Sequence, residues 1–280
     1  MKAGKLNIVR FGLLLVISVF VQVSCEEKTE WPIDAAQQQT VVVDAIITNE
    51  YSRQEIRLTR PYHDLNGRPE PVRGAEVYIS FDTTSINFYE SPALPGYYFT
   101  GGPAAASVGR EYTLVINVDG KAYSAVAAME PVGPANNPGF QRNYGTGLYR
   151  LQWNNPQYNP FEQAMYEAVI SWSHLVDPSI QDTLTYARLM YYTLSTIDVS
   201  YNIFPQDEEE VWFPKYSYAI VKKYSVSDDY GAYLRALLAE TEWQGSLFEH
   251  ARGNLPTNIT NGGLGYFSIC AVLTDTLVVQ

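Results

Sequence analysis

The chain is predicted to be mostly β: a β-sandwich domain over residues 40–130, then a second β domain over 144–280 that carries one amphipathic helix near 228–242. Three observations predict this. Short β-branched segments recur at regular spacing between turn signals, Asp119-Gly120 separates two alternating runs, and one segment alone places its apolar residues at helical period.

The elements follow in order. Lys2, Lys5 and Arg10 precede an apolar run from Phe11 to Val23, about 13 residues, where a membrane-spanning helix takes about 20. Residues 1–24 therefore read as a signal peptide. Val23-Ser24-Cys25 resembles the lipobox of bacterial lipoproteins, in which the thiol receives a diacylglycerol, although Gln22 stands where an aliphatic residue is usual. Cys25 is the expected lipidation site and the chain's link to the membrane, since several acyl chains anchor stably where one is marginal. The polar stretch 25–39, with Trp31-Pro32, reads as a tether.

Thr40 to Ile47 is aliphatic and β-branched; Gln54 to Thr59 puts Ile56 and Leu58 on one face, and Ala75 to Phe81 does the same with Val77 and Ile79. Asp119-Gly120 predicts a type I′ hairpin with Val118 facing Lys121, Ile116 facing Tyr123, Leu114 facing Ala125 and Tyr112 facing Ala127. Strands at this spacing resemble immunoglobulin- or transthyretin-like modules. The proline- and glycine-rich stretch 131–143 reads as a linker. Beyond it, Tyr149 to Trp153, Tyr166 to Trp172, Thr183 to Tyr192, Val211 to Phe213 and Tyr216 to Tyr224 read as strands. In Ser227 to Glu242, Tyr230, Tyr233, Leu234, Leu237, Leu238 and Thr241 recur at helical spacing behind a capping Ser227 or Asp228. That helix is expected to pack on the second sheet.

Charge and cysteine use bound the function. Three of the 19 basic residues lie in the leader, leaving 16 against 30 acidic, a net charge of −14 that does not suit nucleic acid. With Cys25 acylated, Cys270 is the one remaining thiol, read as a buried apolar residue rather than a nucleophile. His63, His174 and His250 are isolated in sequence, and no zinc-type spacing, nucleophile elbow or phosphate-cradling loop occurs. Asp207 to Glu210 lacks the glycine turn of a calcium loop and reads as solvated. No catalytic residue, cofactor or metal is expected. The 22 tyrosines and 5 tryptophans are the compositional oddity, and Tyr97, Tyr98, Tyr191, Tyr192 and Trp212, the last near Tyr216 and Tyr218, are the candidate contact residues.

Asn254-Leu255-Pro256-Thr257-Asn258-Ile259 and Asn261-Gly262-Gly263-Leu264-Gly265-Tyr266-Phe267 form a motif in the last segment of the sequence. The glycines there permit turns or close approaches that a Cβ would block. With Val42 to Asn49, Pro71 to Val77, Gly96-Tyr97-Tyr98 and Gly109 to Leu114 in the same order, this resembles a family of Bacteroidetes outer-membrane lipoproteins, the domain of unknown function 4249. The resemblance implies a cell-envelope location and association with TonB-dependent outer-membrane receptors, but no activity. Glu26 and Glu27 resemble the acidic signal that sends such lipoproteins to the cell surface. The expectation is a non-enzymatic accessory or binding protein at a TonB-dependent transporter; a secreted peptide or glycan hydrolase and a structural envelope spacer are the competing readings.

Overall fold

Alternation of buried and exposed side chains builds most of the strands. The computed structural model describes residues 40–61, 67–176, 184–196, 210–241 and 255–280, so the signal peptide, Cys25, the tether, His63, His250 and the acidic run at 207–209 lie outside the described residues. In chain order the strands are β1 (Val42–Thr48), β2 (Glu55–Thr59), β3 (Glu76–Phe81), β4 (Thr84–Glu90), β5 (Tyr97–Thr100), β6 (Glu111–Val118), β7 (Lys121–Ala128), β8 (Gly139–Arg142), β9 (Tyr149–Gln152), β10 (Ala164–Ser171), β11 (Tyr186–Thr193), β12 (Tyr218–Ser225), β13 (Leu264–Cys270) and β14 (Val272–Val278). One helix, α1 (Asp228–Thr241), precedes β13. Among the described residues, no helix is long and apolar enough to cross a membrane.

The first sheet has eight strands in the order β13-β1-β2-β5-β4-β3-β6-β7, antiparallel except for the parallel pair β1 and β13. Its inner face carries one core, with Val43, Ala45 and Ile47 of β1 packed with Ile56, Leu58, Leu114, Ile116, Phe267 and Ile269. The expected sandwich divides such strands between two layers; here all eight pair in one sheet, which curls until its ends approach and forms a nearly closed barrel. The closing segment supplies the seam. Thr260 N–H donates to the Ser124 carbonyl at 2.8 Å, Ser124 N–H donates to Thr260 Oγ1 at 2.8 Å, and the Asn261 amide donates to the Ala122 carbonyl at 2.5 Å. Sealing the edges in this way removes a template for unwanted strand pairing.

The β6–β7 hairpin has the register its turn chemistry predicts, from Tyr112 opposite Ala127 to Val118 opposite Lys121. Asp119 at φ 52° and Gly120 at φ 73° give the two left-handed residues that a type I′ turn requires.

The second sheet, β11-β10-β12-β14, is antiparallel throughout. Its back face buries Ala168, Ile170, Ala219 and Val221 against Trp172, Phe213 and the β8–β9 hairpin. Residues 264–278 fall within the stretch 144–280 that the sequence assigns to the second β domain. Instead β13 joins the first sheet and β14 the second, with Ala271 between them. The seven residues from Tyr266 to Val272 are all buried. Such a run has no polar face from which a partner sheet can be read.

Helix α1 starts where expected, with Tyr230 N–H donating to Ser227 Oγ at 3.3 Å. It packs on both sheets rather than the second alone. Tyr230 and Leu234 join Met165, Tyr224 and Cys270, while Tyr230 stacks on Tyr266 at 5.2 Å and Tyr233 lies tilted against it at 4.9 Å.

Cys270 is fully buried, as expected, and burial pushes its thiol from 9.0 up to about 12. A folded-state value above the unfolded one stabilises the fold fully below pH 9, and that contribution is lost as pH rises through about 12. Tyr166 and Tyr266, each pushed up to about 12 by burial, add loss in the same direction. The melting temperature is therefore expected to fall between pH 9 and 11.5. In a Cys25→Ser chain the remaining thiol should resist Ellman's reagent at pH 8 and react once guanidinium unfolds it. Rapid labelling of the native chain would contradict the burial.

Candidate functional site

Where the outer face of the first sheet meets the second sheet and α1, a groove of about 630 Å³ opens. It arises from strand alternation: Val43, Ala45 and Ile47 point into the barrel, so Asp44 and Ile46 point out and line the groove, as do Arg57 and Thr59 of β2. The opposite wall takes Met165 and Glu167 from β10, Arg188, Met190 and Tyr192 from β11, and Tyr224 from β12. Tyr233, Leu234 and Leu237 of α1 form the third side. Its volume lies within the range of about 300–1,000 Å³ usual for small-molecule sites.

Glu167 is the fixed point of the wall. Its side chain is 11 % exposed, Arg188 Nε donates to Oε1 at 2.5 Å, and Tyr224 OH donates to Oε2 at 2.6 Å. Arg188 and Tyr224 sit diagonally to Glu167 on the neighbouring strands, Arg188 opposite Val169 and Tyr224 opposite Met165, which brings both tips to one carboxylate. Burial, and then the bond to Glu167, push the Tyr224 hydroxyl far above the ordinary phenol value. Burial raises Tyr230 and Tyr233 as well. Tyr224, Tyr230 and Tyr233 therefore keep their hydroxyl protons well above neutral pH, and Tyr224 donates its hydrogen bond to Glu167.

The junction is rigidly tied. Glu50 accepts from Lys222 Nζ at 2.6 Å and from Thr274 Oγ1 at 2.9 Å, and Val272 N–H donates to Asn49 Oδ1 at 2.7 Å. Outside the groove, the second sheet continues as an open shelf of Tyr186, Tyr218, Ile220 and Val278, all at least 41 % exposed.

The sequence-predicted contact residues scatter. Tyr98 is fully buried, its hydroxyl donating to the Val72 carbonyl at 2.8 Å and accepting from Ala75 N–H at 3.0 Å, so its ring is core. Tyr97 faces outward under the Arg57 guanidinium at 5.4 Å. Tyr191 is buried on the back face, stacked on Trp153 at 5.3 Å, whereas Tyr192 lines the groove. Trp212 lies under Arg150, which pairs with Glu210, away from the groove. His174 lies tilted against the Tyr218 ring, centroids 4.6 Å apart, and its Nε2–H donates to the Tyr216 carbonyl at 3.1 Å. Among the described residues, no group of three His, Cys, Asp or Glu side chains is arranged to hold a metal.

Sequence reading missed Arg57, Glu167 and Arg188. Glu167 had a signal, since a lone carboxylate inside the apolar run of β10 is rarely buried without a partner. Arg57 and Asp44 had none, because an outward charge on a strand ordinarily faces water.

Fold and groove together define a mostly β protein of two joined sheets with a ligand-sized cleft between them. The chain belongs to the family described as domain of unknown function DUF4249, which matches residues 26–276. No curated protein matches it.

Proposed function

We propose that this protein is a non-enzymatic cell-envelope lipoprotein, held at the outer membrane and displayed on the cell surface through lipid on Cys25. It serves as a binding accessory to a TonB-dependent outer-membrane transporter. The observation that carries the binding half is the groove, whose wall is held by the Glu167, Arg188 and Tyr224 contacts. A wall whose side chains are fixed before the ligand arrives loses less entropy on binding. The charged leader, short apolar run and lipobox support the anchoring half.

The first sheet is further proposed to be a variant of the immunoglobulin- or transthyretin-like sandwich, because its opposite halves, β1–β2 and β6–β7, share one core as sandwich layers do. Structural superposition on such modules tests this.

For the main proposal, the full chain carrying a C-terminal tag is extracted in mild detergent from the cells that make it, after cross-linking. Co-purification of a large outer-membrane barrel is expected. Cys25→Ser should shift the chain to the soluble fraction, and protease added to intact cells should digest the wild type. A monomer without a barrel partner, or an N-terminal peptide whose mass shows an unmodified Cys25, would overturn the reading.

A further inference from the structure

Two of the groove's opposite charges face each other across neighbouring strands of the first sheet. Asp44 of β1 stands directly opposite Arg57 of β2 in the strand register, and both line the groove. Among the described residues, no ion pair joins them. Arg57 Nε is buried and has no hydrogen-bond partner, a costly state for a guanidinium N–H in the absence of a ligand. The Tyr97 ring lies against the guanidinium, 5.4 Å from its carbon to the ring centroid. Asp44 is exposed at the groove and lies close enough to Tyr233 to raise its hydroxyl further. The other charges have settled partners: Arg60 pairs with Asp119, and Glu167 uses both oxygens on Arg188 and Tyr224. Glu55, beside Asp44, Arg57 and Arg188, keeps the region from carrying a net positive field, which argues against a simple anion as ligand.

An unpaired cation next to an unpaired anion, facing a wall of Met190, Tyr233 and Leu237, is complementary to a zwitterion with an apolar body. We propose that the groove binds a short apolar peptide by its two free termini, Arg57 taking the carboxylate and Asp44 the ammonium, with the side chains laid on that wall. At about 630 Å³ the groove is of small-molecule size. This rests on the reading of the groove as a binding site.

The test is calorimetric titration of the full chain in detergent with the dipeptide Phe-Phe, its N-acetyl form, its C-terminal amide and free phenylalanine. Phe-Phe is expected to bind tightest, and loss of either terminal charge should weaken it by roughly tenfold or more. Arg57→Gln should abolish the preference for a free carboxylate while keeping that for a free amine, and Asp44→Asn should do the reverse. Arg57→Gln breaks no hydrogen bond of Nε, and if either variant fails to fold the capped peptides still decide on the wild type. Equal binding of capped and uncapped forms, or no binding of Phe-Phe at millimolar concentration, would overturn the inference. Tighter binding of free phenylalanine would replace the peptide with a single amino acid and would likewise overturn it. Co-purification of a barrel with no Phe-Phe binding removes this inference alone; terminus-dependent binding with no barrel removes the transporter reading alone.

Discussion

Gly265→Ala is expected to lower the free energy of unfolding by about 3–5 kcal/mol. Gly265 has φ +81°, and an alanine Cβ there would sit 2.0 Å from the Val43 carbonyl oxygen and 2.9 Å from the Val43 carbonyl carbon and nitrogen. Those atoms are backbone of β1, directly opposite in the parallel register, so no side-chain rotation relieves the contact. The left-handed backbone alone costs an alanine roughly 1–2 kcal/mol. The remainder comes from forcing β13 off β1, which loosens hydrogen bonds and the packing of Phe267 and Ile269. Gly262→Ala is the control: its φ is +75° but nothing lies within 4 Å of the added Cβ, so about 1 kcal/mol is expected. Urea unfolding followed by tryptophan fluorescence measures both. Equal losses in the two variants would mean that the close approach to Val43 carries no energy.

The contrast between these two glycines shows what was legible in the sequence. That the closing motif needed its glycines was readable, because turns and close approaches are the reasons for such density. Which backbone lay opposite was not, since a parallel pairing more than 200 residues apart leaves no local trace. The β6–β7 hairpin was legible to the residue because its turn fixes its register, and α1 was legible because one polar-faced period sufficed. The single curled sheet was less so: alternation says which side of a strand is inside but not how many layers the strands divide into.

The site was legible only in part. Tyr97-Tyr98 and Tyr191-Tyr192 were read as clusters, yet neighbours on a strand point to opposite faces. One member of each pair had to be core, and Tyr98 and Tyr191 are. The tyrosines of α1 came closer, because their stripe was read as a buried face and part of that face borders the groove. The groove itself forms only when outward positions of one sheet meet another sheet, a juxtaposition that no local pattern encodes.

The stretch 131–143 reads from sequence as a linker; it holds β8, whose hairpin with β9 packs on the second sheet, and its first residues are tied to that sheet by a buried cation. Lys223, 3 % exposed on β12, reaches Glu162 at 2.9 Å and donates to the carbonyls of Pro134 at 3.0 Å and Gly133 at 3.3 Å. Glu162 also accepts from Gly133 N–H at 2.9 Å. Glu162→Ala removes the countercharge and leaves the ammonium in a site that water reaches poorly, a loss expected to be about 3 kcal/mol. Lys223→Met is expected to cost only about 1 kcal/mol, because Glu162, 34 % exposed, can hydrate once its partner is gone. The double variant then separates the two causes. If the cost of Glu162→Ala is the stranded charge, adding Lys223→Met should restore part of the stability and leave the pair less damaged than the single alanine. Strictly additive losses would instead assign the effect to the Glu162 bond with Gly133, and the cation would be a passenger in the linker's attachment.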